Sequence, residues 1–266
     1  MNYDEYVSKL NEMYNEIYCN GICSSYEYCK KDCKYSLNFY RCRVGKDYGK
    51  NIPKILIVGK EPVFPKSYNN EKIIYQVEEP YTMKDAGYND HYLCTFYTVA
   101  RLLLSDDKLP KSYLKDDMAF ERYEKLRHCF AMTNYYKCVF TNDSKRSGKG
   151  TSKEMEQNCA DILIKEIDRL KPDIVIIQGK NHPTFWGNIE YRLVNDVDSP
   201  VFTTVSYKNK TCQSEQGLYY AETSNHGFYV IDSYHPTQQG GFWKNTDIHK
   251  VFCDLLGKFL EKYNKN

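Results

Sequence analysis

Apolar positions along the chain follow two periods. From Tyr3 to Tyr18 the residues Tyr6, Leu10, Met13, Tyr14 and Ile17 recur every three or four positions, which predicts an amphipathic helix. After Pro53 the pattern changes to a short unbroken run, Lys54-Ile55-Leu56-Ile57-Val58-Gly59, which predicts a strand buried on both faces. Three more runs read the same way: Cys129 to Asn134, Asp173 to Gly179, and Phe228 to Ser233. Helical spacing returns between them. It covers about 92–105, with Tyr92, Phe96, Val99, Leu102 and Leu103 on one side, and Ser152 to Leu170, with Met155, Cys159, Ile162, Leu163 and Ile167 as its stripe. Ser152 suits the cap of that second helix, and Lys171-Pro172 its stop. A last helix is predicted from Asp247 to Tyr263. Residues 63–90 are largely polar, carry Pro65, Pro80 and Gly87, and read as a long loop of the kind that often serves function.

Strands separated by helices predict an α/β fold: a central four-stranded, mainly parallel sheet flanked by helices on both faces. With no repeat, linker or low-complexity block, residues 1–266 read as one domain. Ligands of such sheets bind at the carboxyl ends of the strands. The segments to watch are therefore Gly59-Lys60-Glu61-Pro62, Asn134-Tyr135-Tyr136-Lys137-Cys138, Gly179-Lys180-Asn181-His182 and Tyr234-His235-Pro236-Thr237.

Composition narrows the classes. The 266 residues can bury a substantial core, and no apolar run approaches the ~20 residues of a membrane span. The first residues show neither a basic stretch nor an apolar one of the export type, so a cytoplasmic protein is expected. Lys and Arg number 37 against 35 Asp and Glu. A net charge of +2 does not mark a bulk nucleic-acid binder, but it permits a local basic face. No Gly-x-Gly-x-x-Gly, phosphate loop or nucleophile elbow is present, which argues against a small-molecule hydrolase or transferase.

Cysteine changes the picture most. Five of the 11 crowd one stretch, at Cys19, Cys23, Cys29, Cys33 and Cys42, among Lys, Asp, Ser and Tyr. Buried thiols act as small hydrophobes, which suits Cys94, Cys129, Cys212 and Cys253 but not this polar group. Residues 19–50 are therefore expected to bind a metal or a cluster.

The strand-end segments resemble the uracil-DNA glycosylase superfamily, and within it the family 4, iron–sulfur branch. Gly59-Lys60-Glu61-Pro62 resembles the Gly-x-x-Pro turn after the first strand, and Tyr234-His235-Pro236-Thr237 the His-Pro motif after the last. Thr133-Asn134-Tyr135-Tyr136-Lys137-Cys138 is similar to the branch's Thr-Asn-x-x-Lys-Cys, with Cys159 following on the next helix. Cys29 and Cys33 stand where the branch has its N-terminal cysteine pair. The resemblance runs from about residue 29 to 245. It departs at Lys60 and Val63, in the Cys-x-x-x-Cys spacing, after Cys138, and across 181–227, largely on base-facing loops.

The resemblance implies a monofunctional DNA glycosylase that hydrolyses the N-glycosidic bond of a flipped uracil or modified pyrimidine in DNA. Repair of bases and defence against modified phage DNA are the roles it implies. His235 would steady the departing base anion, and Glu61 would serve the sugar and the water. Asn134 would read the base edge, and Phe96 would stack on the base, unless it is plain helix core. Gly59 and Pro62 would shape the turn beside it. Lys145, Arg146 and Lys149 suit phosphates, and Gln238 and Phe242 suit the vacated stack. Cys29, Cys33, Cys138 and Cys159 would hold a [4Fe–4S] cluster, with Cys23 or Cys42 as substitutes for the first two; zinc suits the same four thiolates. DNA is the implied partner, with neither a membrane nor a protein partner implied. A non-catalytic nucleic-acid-binding module on the same fold is the alternative from another class.

Overall fold

Asn2 starts the chain's first helix. Its side chain accepts a hydrogen bond from the Glu5 amide at 3.0 Å, while Glu5 Oε2 accepts one from the Asn2 amide at 2.9 Å. This reciprocal cap satisfies two amides that a helix start leaves unpaired. Helix α1 (Tyr3–Ile17) buries Tyr6, Leu10, Met13, Tyr14 and Ile17, the stripe its periodicity predicts. The computed structural model describes residues 1–19, 22–23, 40–59, 77–81, 90–105, 121, 124–137, 153–179, 183–194, 201–207, 210–233 and 246–265.

A two-residue hairpin, β1 (Tyr18–Cys19) and β2 (Ile22–Cys23), follows, then β3 (Arg43–Val44) and β4 (Ile55–Gly59). Helix α2 (Asp90–Leu104), β5 (Phe130–Asn134), α3 (Lys153–Leu170) and β6 (Ile174–Gln178) continue the alternation. The short α4 (Pro183–Gly187) leads to β7 (Glu190–Leu193), β8 (Val201–Tyr207) and β9 (Lys210–Glu222). Strand β10 (Gly227–Ser233) and helix α5 (Thr246–Tyr263) end the order.

The main sheet runs β3-β5-β4-β6-β10-β9-β7, with β8 paired to β9. Its centre, β5-β4-β6-β10, is parallel throughout and consists of the four apolar runs read from sequence. Every residue of β4, β5 and β6 is buried, because helices cover both faces. Alternate residues divide between two cores. Leu56, Val58, Ala131, Val175, Ile177 and Val230 pack with α1 and α3. Ile55, Ile57, Phe130, Met132, Ile174, Ile176 and Ile231 pack with α2 and α5.

The sheet is wider than the four strands expected. β3 adds antiparallel to β5 at one edge, and β9 adds antiparallel to β10 at the other, carrying β7 and β8. β3 is too short to show a period, and β9 is mostly polar over its first half. A strand with one wet side leaves a much weaker apolar signal than one buried on both.

Candidate active site

The four parallel strands end level with one another. Gly59 lies opposite Asn134 on one side and Gln178 on the other, and Gln178 lies opposite Ser233. Asn134, Gly59, Gln178 and Ser233 therefore form one row across the carboxyl ends of β5, β4, β6 and β10. Side chains alternate along a strand, so the row shares the face of Met132, Ile57, Ile176 and Ile231, under α2. Gly59 contributes no side chain, so the Asn134 and Gln178 carboxamides stand on either side of a position without one.

The polar groups of this row differ in how they are held. Asn134 is buried, and its side-chain amide makes no hydrogen bond among the described residues. Gln178 is fully buried; its Nε2 donates to Thr95 Oγ1 on α2 at 3.2 Å, and its Oε1 has no partner among the described residues. Ser233 Oγ donates to the Ile177 carbonyl at 2.9 Å. Gly179 follows with φ of +117°, a backbone conformation open to glycine, and its amide donates to the Ser233 carbonyl at 3.0 Å. The tips of β6 and β10 are thereby tied together. Beyond Asn134, the Tyr135 amide donates to the Gly59 carbonyl at 2.7 Å. Burial, with Glu156 adding to it, pushes the Tyr135 phenol far up, so it stays protonated.

A charged network supports the β5 tip from the other face. Lys137 Nζ donates to Glu166 Oε2 on α3 at 2.7 Å and to Thr133 Oγ1 at 2.6 Å. Lys137 and Glu166 are both buried, at 1% and 0% side-chain exposure. The Tyr14 hydroxyl on α1 donates to Glu166 Oε1 and accepts from the Cys42 amide at 2.7 Å. A buried charge is tolerated where a partner and hydrogen bonds replace water; here two helices and two strands supply them.

The sequence-predicted residues fall into three groups. Gly59 and Asn134 sit side by side in the row. Cys159 is buried, with its Sγ 3.5 Å from the Lys137 amide, which places it beside the residue that precedes Cys138. Phe96 stands elsewhere: its ring, 1% exposed, lies edge-on to Phe130 at 6.0 Å in the core beneath α2. Phe130 opens β5 at the end away from Asn134. Glu61, Pro62, Lys145, Arg146, Lys149, His235, Gln238 and Phe242 lie outside the described residues, as do Cys29, Cys33 and Cys138. By connectivity, Glu61 is two residues from Gly59, and His235 two from Ser233.

Cys42, one substitute cluster ligand, is buried beside β3. Its thiol donates to the Arg43 carbonyl at 3.7 Å, and burial, then the nearby Glu166 carboxylate, push it well above the ordinary thiol range.

Sequence reasoning missed Gln178, Thr95, Glu166 and Tyr14 as polar members of this region. Gln178 had a signal, being the lone polar side chain closing an apolar strand. Glu166 had one as well, since it falls at the spacing of the buried α3 stripe.

Level parallel strand tips, two of them carrying carboxamides, define an α/β protein with its candidate site at the carboxyl edge of the sheet. The chain belongs to the uracil DNA glycosylase superfamily, whose family model matches residues 46–256. No curated protein matches the chain. Membership assigns it to proteins that act on DNA, with DNA glycosylase activity as the family chemistry. Among the described residues no helix is long and apolar enough to cross a membrane.

Proposed function

We propose that this protein is a monofunctional DNA glycosylase of the iron–sulfur branch, which hydrolyses the N-glycosidic bond of a flipped uracil or modified pyrimidine and leaves an abasic site. The observation that carries the reading is the row itself. Asn134, Gly59 and Ser233 are level, so the segments holding the base-reading amide, Glu61 and His235 all leave the sheet at one edge.

In this reading Asn134 offers one donor and one acceptor to the base edge. The bond between the sugar's C1′ and the base nitrogen breaks, and its electron pair leaves with the base. His235 donates a hydrogen bond to the base oxygen on which that charge gathers. Water adds to C1′ and gives its proton to Glu61, which also opposes the positive charge on the sugar. The basic loop of Lys145, Arg146 and Lys149 holds phosphates, while Gln238 and Phe242 fill the space the base has left. Pro62 with Gly59 shapes the turn carrying Glu61. Lys137, the lysine closest in sequence to Asn134, is already bound to Glu166 and Thr133. That pairing removes it as a Schiff-base nucleophile and supports a monofunctional reaction.

Cys29, Cys33, Cys138 and Cys159 are the residues that would hold a [4Fe–4S] cluster. The position of Cys159 beside the Lys137 amide fits a pairing with Cys138. The cluster's contribution when bound is structural, knitting the N-terminal segment to the flank of the site. The roles that follow are base-excision repair or defence against modified phage DNA. Purified protein is incubated with duplexes carrying uracil or a hypermodified pyrimidine, and abasic product is read as strand breakage after alkali. Product on either substrate supports the proposal; none on both at excess protein rejects it.

A further inference from the structure

Gln178 is a buried side chain with half of its amide unused. Nε2 is fixed on Thr95 Oγ1, while Oε1 is buried with no donor among the described residues. An orphaned buried carbonyl is costly, and native proteins keep one chiefly where something else pairs with it. It stands in line with Asn134, with only Gly59 between them. Neighbouring strands are ~4.8 Å apart, so the two Cα atoms are ~10 Å apart.

We infer that Gln178 is a second base-reading amide facing Asn134 across Gly59, and that it selects pyrimidines bearing an amino or hydroxyl donor beyond the one ring N–H of uracil. This rests on the glycosylase reading and narrows its substrate class. Thr95 holds the amide nitrogen, so Gln178 presents an acceptor only. Uracil has one free N–H once its N1 is bonded to the sugar, and Asn134 takes it. The Gln178 oxygen then stays unpaired over uracil but is satisfied by a donor on a substituted pyrimidine. A site with a buried acceptor discriminates strongly against ligands that cannot fill it.

The test compares kcat/KM on duplexes carrying uracil, 5-hydroxymethyluracil or 5-hydroxymethylcytosine, for the native protein, Gln178→Met and Thr95→Val. The native protein is expected to favour one hydroxymethyl base over uracil by at least tenfold. Gln178→Met lowers that rate tenfold to hundredfold, with a smaller loss on uracil, so the preference collapses towards one. Its melting temperature is unchanged or higher, because the orphaned oxygen is gone. Thr95→Val frees the amide to turn its nitrogen outward and reduces the preference at least threefold. A native preference for uracil, or a preference that Gln178→Met leaves intact, overturns the inference. If no duplex yields abasic product, the glycosylase reading fails separately, and binding of the same duplexes decides. Tighter native binding of a hydroxymethyl base, weakened tenfold by Gln178→Met, upholds the role of Gln178; equal binding by both proteins rejects it.

Discussion

Lys137 Nζ lies 2.7 Å from Glu166 Oε2, with both side chains closed off from solvent three residues beyond Asn134. The pair joins the end of β5 to α3, and Tyr14 extends it to α1 and to the Cys42 amide. The amide at the strand tip is thus backed by an ion pair whose members are sealed in on the far side of the sheet. Such a pair is a poor source of net stability when intact, but breaking it leaves a buried charge without a partner.

Lys137→Met is accordingly expected to destabilise the protein by about 3–5 kcal/mol, measured by urea unfolding. Glu166→Gln falls in the same direction, because the lysine then stands alone. The double variant Lys137→Met/Glu166→Leu recovers much of the loss, since neither charge remains. A single-variant loss below about 1 kcal/mol, the range of exposed pairs, would contradict the buried geometry.

Stability at alkaline pH follows from two phenols. Burial first, then Glu166, holds the Tyr14 phenol well above its ordinary value; burial first, then Tyr6, does so for Tyr48. In the unfolded chain these groups ionise near pH ~10. The folded state keeps protons that the unfolded state loses, so the stabilisation is whole below pH ~10 and is lost as the pH rises towards the folded values. The unfolding free energy from urea titration should fall above pH ~10, by up to about 1.4 kcal/mol per pH unit for each phenol. Tyr14→Phe makes that fall shallower. At neutral pH the same variant costs about 1–3 kcal/mol, because Glu166 and the Cys42 amide each lose a partner.

Cys159 offers a test of the proposed cluster. With its Sγ beside the Lys137 amide, Cys159→Ser is expected to remove most of the iron and the brown visible absorbance of the purified protein. It should also lower the melting temperature. Cys253→Ser, on α5 and hydrogen-bonded to Tyr97, should keep both iron and colour. Equal iron in the two variants, or zinc in place of iron, would set the iron–sulfur assignment aside.

The parallel centre of the fold was legible because burial on both faces writes unbroken apolar runs, as in Ile174 to Ile177. The helices were legible through their stripes, and the match of α1 to its buried residues is complete. The antiparallel edges were not, because residues such as Glu190 to Arg192 on β7 are exposed and have no need to be apolar. Of the site, Asn134 and Gly59 were legible from motif and strand end together. For Phe96, motif spacing fits a stacking role and a core role equally well; its ring lies edge-on to Phe130. Gln178 was legible only as the lone polar side chain closing an apolar strand; its oxygen, unpaired among the described residues, is a feature of the fold.

The most direct test of the central claim is the rate of abasic-site formation by the native protein, Asn134→Ala and His235→Asn on a pyrimidine-substituted duplex at saturating protein. The account predicts that native protein forms abasic product and that each variant, folded to the native melting temperature, does so about a hundredfold or more slowly. Equal rates for all three, or no native product from any pyrimidine tried, would contradict it.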